Sequence, residues 1–191
     1  PAHPIARDLI LDALEAAPNS VLVLRALGSI YQVLGQFDQA VEQYKRVLEV
    51  APNDRVTMNN LAWILCEEEK RYQDALEYAR RALELAPGYT DARDTLGVIY
   101  HRLDRFEDAE REFRQALREY RKDGAAGQVA YTHFHLARTL DKSGNVAEAI
   151  RHVHAALERQ DGGDTSYLDD DEKKEAEGLL ERLQQPEEGG K

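Results

Sequence analysis

His133 and His135 form one H-x-H pair, and His152 and His154 form another. Imidazole is the commonest metal ligand among side chains and titrates near neutral pH. Each pair falls in a stretch of helical periodicity, where residues i and i+2 point about 200° apart. Neither pair therefore chelates by itself, unlike the i, i+4 spacing that zinc sites use. Packing and surface roles account for the four rings, and no metal site is assigned. Cys66 is the only cysteine, which rules out an internal disulfide framework and offers no paired thiolates for zinc. No base is paired with it in sequence, so it reads as a small buried hydrophobe rather than a nucleophile. The carboxylates are many, but runs such as Glu67, Glu68 and Glu69 read as solvated helix surface. Gly28, Gly35, Gly97 and Gly144 sit in helical hairpins rather than in a strand-to-helix phosphate loop. No catalytic constellation and no cofactor are expected, and the chain does not read as an enzyme.

The elements that carry these residues are helices. The 191 residues are 42% hydrophobic and 32% charged, enough apolar material for an ordered domain. No apolar run approaches the roughly 20 residues needed to span a bilayer, so direct membrane insertion is not expected and the chain reads as soluble. A net charge of -11 argues against a nucleic-acid partner, since phosphate binding needs clustered Lys and Arg. Eighteen of the 25 basic residues are Arg, which is compatible with a bacterial source. Cytoplasmic and periplasmic locations both remain open, as does self-association.

The organising pattern lies in residues 21–54. Leu24, Leu27, Gly28 and Tyr31 share one face of a first helix, Gly35 breaks the chain, Ala40, Tyr44 and Val47 line a second helix, and Pro52 ends it. This order of residue types resembles the tetratricopeptide repeat, whose period is about 34 residues. Residues 55–89 repeat it with Leu61, Ala62, Leu65, Tyr72, Ala75, Ala79, Ala82 and Pro87, plus one residue inserted between Glu67 and Arg71. Charge replaces the usual turn glycine there, and a longer first helix is expected. Residues 90–123 carry Leu96, Gly97, Tyr100, Phe106, Ala109, Phe113 and Ala116 but lack the closing Pro. The two glycines of 122–128 mark an irregular joint, to be met by a longer helix or a wider loop. Residues 130–163 carry Leu136, Ala137, Leu140, Gly144, Val146, Ala149, Val153 and Ala156.

Residues 1–19 fit the second helix of a truncated repeat, through Ala6, Ile10, Ala13 and Pro18. A half unit cannot bury its apolar face alone, so more repeats are expected upstream. At the other end, 166–185 reads as a capping helix. It starts on the acidic residues Asp169 to Glu172, which complement the macrodipole, and carries the narrow apolar stripe Leu179, Leu180 and Leu183. Residues 186–191 read as a frayed tail. The resemblance thus implies an all-α fold: a right-handed TPR superhelix (α-solenoid) of antiparallel helix hairpins with a C-terminal capping helix, ten helices in all.

The same resemblance implies a function. Repeats of this family hold an extended or helical segment of a partner protein on a concave groove lined by the first helix of each hairpin. Carried onto this chain, the family's groove positions give Arg25, Ser29, Gln32, Asn59, Asn60, Trp63, Asp94, Val98, His101, Arg102, Tyr131, Phe134, His135 and Arg138 as partner-binding residues. Chaperone-binding members grip a C-terminal carboxylate with Lys, Asn and Arg. Here Arg25 and Asn60 could serve, but Ser29, Asp91 and Thr95 depart from the pattern, and Asp91 repels a carboxylate. The Asn ladder of the sugar transferase that modifies Ser and Thr is represented by Asn60 alone. The run Asn60, Leu61, Ala62, Trp63 is similar to repeat proteins of bacterial envelope and exopolysaccharide export. The expected function is a non-catalytic protein-interaction scaffold. The alternative is the regulatory or substrate-recruiting region of a larger enzyme or envelope protein. Trp63 reads equally as an exposed anchor or as a core residue. The groove's Arg25, His101, Arg102, His135, Arg138 and Lys142 predict a partner segment that offers an apolar side chain and acidic groups.

Overall fold

The computed structural model describes residues 15–158 and 168–185. Among the described residues there are nine α-helices and no strand. The expected helix of the truncated repeat lies outside them except for Glu15 and Ala16, which are helical. The expected tail 186–191 lies outside them as well. The chain divides into two compact units, residues 1–95 and 96–191.

The first unit holds α1 (Val21–Val33), α2 (Phe37–Val50), α3 (Arg55–Glu67) and α4 (Tyr72–Leu85). Helix α1 begins on Ser20, whose hydroxyl accepts from the Val23 amide, and buries Leu24, Leu27 and Gly28 at i, i+3, i+4. Helix α2 buries Ala40, Val41, Tyr44 and Val47 against it. The close approach depends on Gly28: a Cβ there would lie 2.5 Å from Cε1 of Tyr44. Asp54 caps α3 by accepting from the Thr57 amide at 2.8 Å, satisfying one of the amides a helix start leaves unpaired.

The hairpin turns share one construction. Gly35 takes φ +69°, and the Gln36 amide closes the turn on the Tyr31 carbonyl at 2.8 Å. In the second hairpin the left-handed position is filled by Lys70, φ 55°, and the Arg71 amide reaches the Leu65 carbonyl at 2.7 Å. That bond spans six residues instead of five. The inserted residue is thus absorbed by the turn, and α3 has the same 13 residues as α1, so the longer first helix expected from the charged turn does not occur.

The boundary between the units falls within α5 (Thr90–Arg102). The second unit continues with α6 (Phe106–Asp123), α7 (Ala126–Lys142), α8 (Val146–Leu157) and α9 (Asp170–Gln184). Its first turn uses Asp104, φ 56°. Gly97 mirrors Gly28, because a Cβ there would lie 2.5 Å from Cε1 of Phe113. With no proline to stop it, α6 runs to 18 residues and ends on Gly124, φ +70°. Helix α7 starts only two residues later, so the extra chain at the irregular joint goes into helix rather than loop. Helix α9 begins with a capping box in which Asp169 and Glu172 satisfy each other's amides. Ala176 and Leu179 pack with Phe134, Ala137, Val153, Ala156 and Leu168, flanked by Leu180 and Leu183.

Burial, not surface charge, holds these helices. A fully buried apolar side chain contributes about 1.5–3 kcal/mol. Exposed pairs such as Arg111 with Asp108, 2.7 Å apart, contribute about 0.2–1 kcal/mol.

Candidate functional site

In the first unit, Tyr44 gathers much of the expected binding surface. Its ring is fully buried, while its hydroxyl donates to Gln32 Oε1 at 3.0 Å and accepts from Asn60 Nδ2 at 3.2 Å. Ser29 Oγ lies 3.2 Å away in the same cluster. Burial raises the phenol's pKa, against the opposing influence of Ser29, Asn60 and Arg25, so the group stays a neutral hydroxyl. Ser29, Gln32 and Asn60 are all half-buried and are held in place by one phenol. Arg25 is held from the other side, its guanidinium donating to Asp54 Oδ2 at 2.8 Å.

Trp63 is half-buried, its ring tilted against Phe37 at 6.5 Å. It is neither a fully exposed anchor nor a closed core residue. Cys66 is buried and its thiol donates to Glu67 Oε1 at 3.4 Å. Asn59 is 8% exposed, and the Tyr89 phenol is pushed up to about 12, chiefly by burial.

In the second unit, His101, Arg102, Tyr131 and Arg138 remain partly exposed. Thr139 Oγ1 donates to the His135 carbonyl at 2.9 Å, so it accepts from His101 Nδ1 at 3.0 Å. This fixes His101 as the Nδ1–H tautomer with a bare Nε2. Its pKa is driven down to about 4, first by burial and then by Arg138, Arg102 and Lys142, with Asp104 opposing.

Asn59, Asp94, Val98, Phe134 and His135, expected as contact residues, are 8%, 8%, 3%, 2% and 7% exposed, so little of each side chain reaches solvent in this structure. Phe134 belongs to the core that α9 closes. His135 lies against the rings of Phe113, Tyr131 and Phe134, and burial lowers its pKa well below the usual value.

One ring of each H-x-H pair meets the other, His133 against His152. His133 Nδ1 and His152 Nδ1 are 2.6 Å apart, and Arg121 Nη2 lies 2.9 Å from His133 Nε2. Arginine only donates, so His133 carries its proton on Nδ1 and donates it to His152. His152 in turn carries its proton on Nε2, which faces Glu148 Oε1 at 3.8 Å. Glu148 also accepts from Arg114 at 2.7 Å. Burial drives His133 down to about 3, helped by His152 and Arg121. Among the described residues no group of three or more His, Cys, Asp or Glu side chains is arranged to hold a metal ion.

Helices α7 and α9 enclose a cleft of about 280 Å³. Arg182 of α9 donates to both carboxylate oxygens of Asp141 at 2.7 and 3.2 Å. Arg138 lies over the Phe134 ring, 5.5 Å from its centroid, and 3.9 Å from Glu175. Sequence reasoning missed Glu175, Gly178 and Arg182 as walls of this cleft, because nothing local marks which face of a charged helix turns inward. No helix among the described residues is long and apolar enough to cross a membrane.

Two family models described as tetratricopeptide repeat match residues 19–88 and 68–131. The peroxisomal targeting signal receptor of Candida albicans is 24% identical over 158 residues, covering 81% of this chain and 25% of that protein. The chain thus spans about a quarter of the length of the curated relatives it matches. Among solved structures, PilW, a widely conserved type IV pilus biogenesis factor, aligns with TM-score 0.74 and 24% identity, over 95% of this chain and 82% of that one. The protein TTC0263 of Thermus thermophilus aligns with TM-score 0.71 and 21% identity, over 93% and 90%. These likenesses to solved structures establish the all-helical repeat fold.

Proposed function

We propose that this chain, which belongs to the tetratricopeptide repeat family, is a non-catalytic scaffold that holds a segment of a partner protein on the first helices of its hairpins. The observation that carries the reading is the Tyr44 cluster, where Ser29, Gln32 and Asn60 stay partly open to solvent yet are fixed by one buried hydroxyl. Prepositioned donors and acceptors lower the ordering cost of binding an extended segment. Arg25 and Trp63 in the first unit, and His101, Arg102, Tyr131 and Arg138 in the second, complete the proposed contacts. The relative from Candida albicans is named as a receptor for a targeting signal, which supports recognition of a protein segment here. The net charge of -11 supports a protein rather than a nucleic acid as partner.

A second reading is a regulatory or substrate-recruiting region of a larger protein. It is supported by the relatives' length, of which this chain spans about a quarter. Selection of random displayed peptides on the immobilised full chain tests the scaffold. Enrichment of peptides that share a motif supports it, and failure to retain any peptide overturns it.

A further inference from the structure

The cleft between α7 and α9 lies wholly within the second unit, and three cations line it against two carboxylates. Arg138, Asp141 and Lys142 line it from α7, and Glu175 and Arg182 from α9. Arg182 and Asp141 satisfy each other through two hydrogen bonds. That leaves Arg138 facing Glu175, with Lys142 on the same wall of the cleft. Glu175 approaches Arg138 only to 3.9 Å, and its side chain is 66% exposed, a geometry in which an ion pair is weak. Two cations thus line a cleft whose one loosely held carboxylate lies beside Arg138, on a chain of net charge -11. Beneath them Phe134 and Leu179 give an apolar floor, and Gly178 presents no side chain to the opening; a Cβ there would meet nothing within 4 Å.

We infer that this cleft docks an acidic segment of a partner protein, one of whose carboxylates takes the place beside Arg138 that Glu175 of α9 now holds, with Lys142 on the same wall of the cleft. An adjoining apolar side chain of the segment rests on Phe134 and Leu179, for which a cleft of about 280 Å³ has room. Glu175 is then an internal competitor: it keeps Arg138 partly neutralised while the cleft is empty and swings into solvent when it is filled. This rests on the scaffold reading above and gives it a location and a partner chemistry.

His101 reports on occupancy. Arg102 from its own helix, Arg138 and Lys142 from α7 and Asp104 from the turn act on it. The ring of Phe106 packs beside it, and the buried His135 lies close enough to feel it. A carboxylate placed between Arg138 and Lys142 offsets the cations that disfavour its protonation, so the ring takes up a proton more readily when the cleft is occupied.

The test uses the full chain and two fluorescent heptapeptide pools, one with Asp or Glu flanking a central apolar residue and one with Asn or Gln in their place. Anisotropy should show saturable binding of the acidic pool only. Lys142→Gln, an exposed change, and Arg138→Gln should each weaken it about tenfold, while Glu175→Gln should tighten it by about threefold. The His101 ring resonance should titrate at higher pH with the acidic pool present. Equal binding of both pools, indifference to Lys142→Gln, or weakening by Glu175→Gln overturns the inference. If display-selected peptides bind but ignore all three variants, the cleft falls and the scaffold stands. If no peptide of any kind is retained, the scaffold reading falls with it.

Discussion

Gly28 and Tyr44 are a matched pair: a Cβ on the glycine would lie 2.5 Å from Cε1 of the tyrosine ring, closer than real contacts allow. Because Tyr44 is fully buried and its hydroxyl is tied to Gln32, Asn60 and Ser29, the ring has no free direction to retreat. Gly28→Ala should therefore lose more by overpacking, about 1–3 kcal/mol, than the roughly 1 kcal/mol it gains in helix propensity. Gly178→Ala on α9 meets nothing within 4 Å and should stabilise by about 0.5–1 kcal/mol. Urea unfolding of the two variants checks the opposite signs; stabilisation by Gly28→Ala contradicts the packing.

The same pairing explains what was legible in the sequence. Where the first helix carries Gly28 or Gly97, the second carries an aromatic, Tyr44 or Phe113. Where it carries Ala62 or Ala137, the second carries the small Ala79 or Val153. The sum of volumes across the hairpin is readable from residue types, and with it the repeat. The turn at Lys70 was not, because a left-handed residue other than glycine leaves no mark in composition. The same holds for the site. Arg25, Ser29 and Asn60 could be placed on their helices by periodicity. The burial of Phe134 and the cleft beside it depend on α9, whose Arg182 meets Asp141 across 41 residues of sequence, and no local pattern encodes that register.

Acid should destabilise the second unit well above the carboxylate range. His133 and His101 are driven down to about 3 and about 4, and His135 and His152 are also lowered. In the unfolded chain all four titrate near about 6.5. Between those values the unfolded state binds more protons, so their contribution is complete above about pH 6.5 and is lost progressively as pH falls toward the folded values. For His133 alone the loss by pH 5 is on the order of 2 kcal/mol. Thermal unfolding at pH 7, 6 and 5 should show a falling midpoint, and an unchanged midpoint contradicts the neutral His133 and His152 pair.

Trp63, half-buried against Phe37, should fluoresce between the limits of an exposed and a closed indole. Acrylamide should quench it partially in the folded chain. Trp63→Ala should cost about 2 kcal/mol, less than the roughly 3–5 kcal/mol of a fully buried aromatic. Complete resistance to quenching would make it core and remove it from the binding surface.

The scaffold account stands most directly on where a partner segment sits. The affinity of a display-selected peptide for the full chain should be compared across two sets of single truncations. Arg25→Ala, Gln32→Ala and Arg138→Ala lie on first helices, while Lys45→Ala and Arg151→Ala are exposed on second helices. The account requires a loss of about tenfold or more in at least one of the first set and a change under about twofold in the second. A peptide whose affinity follows Lys45 or Arg151 and ignores Arg25, Gln32 and Arg138 would place its binding on the opposite helices and contradict the account.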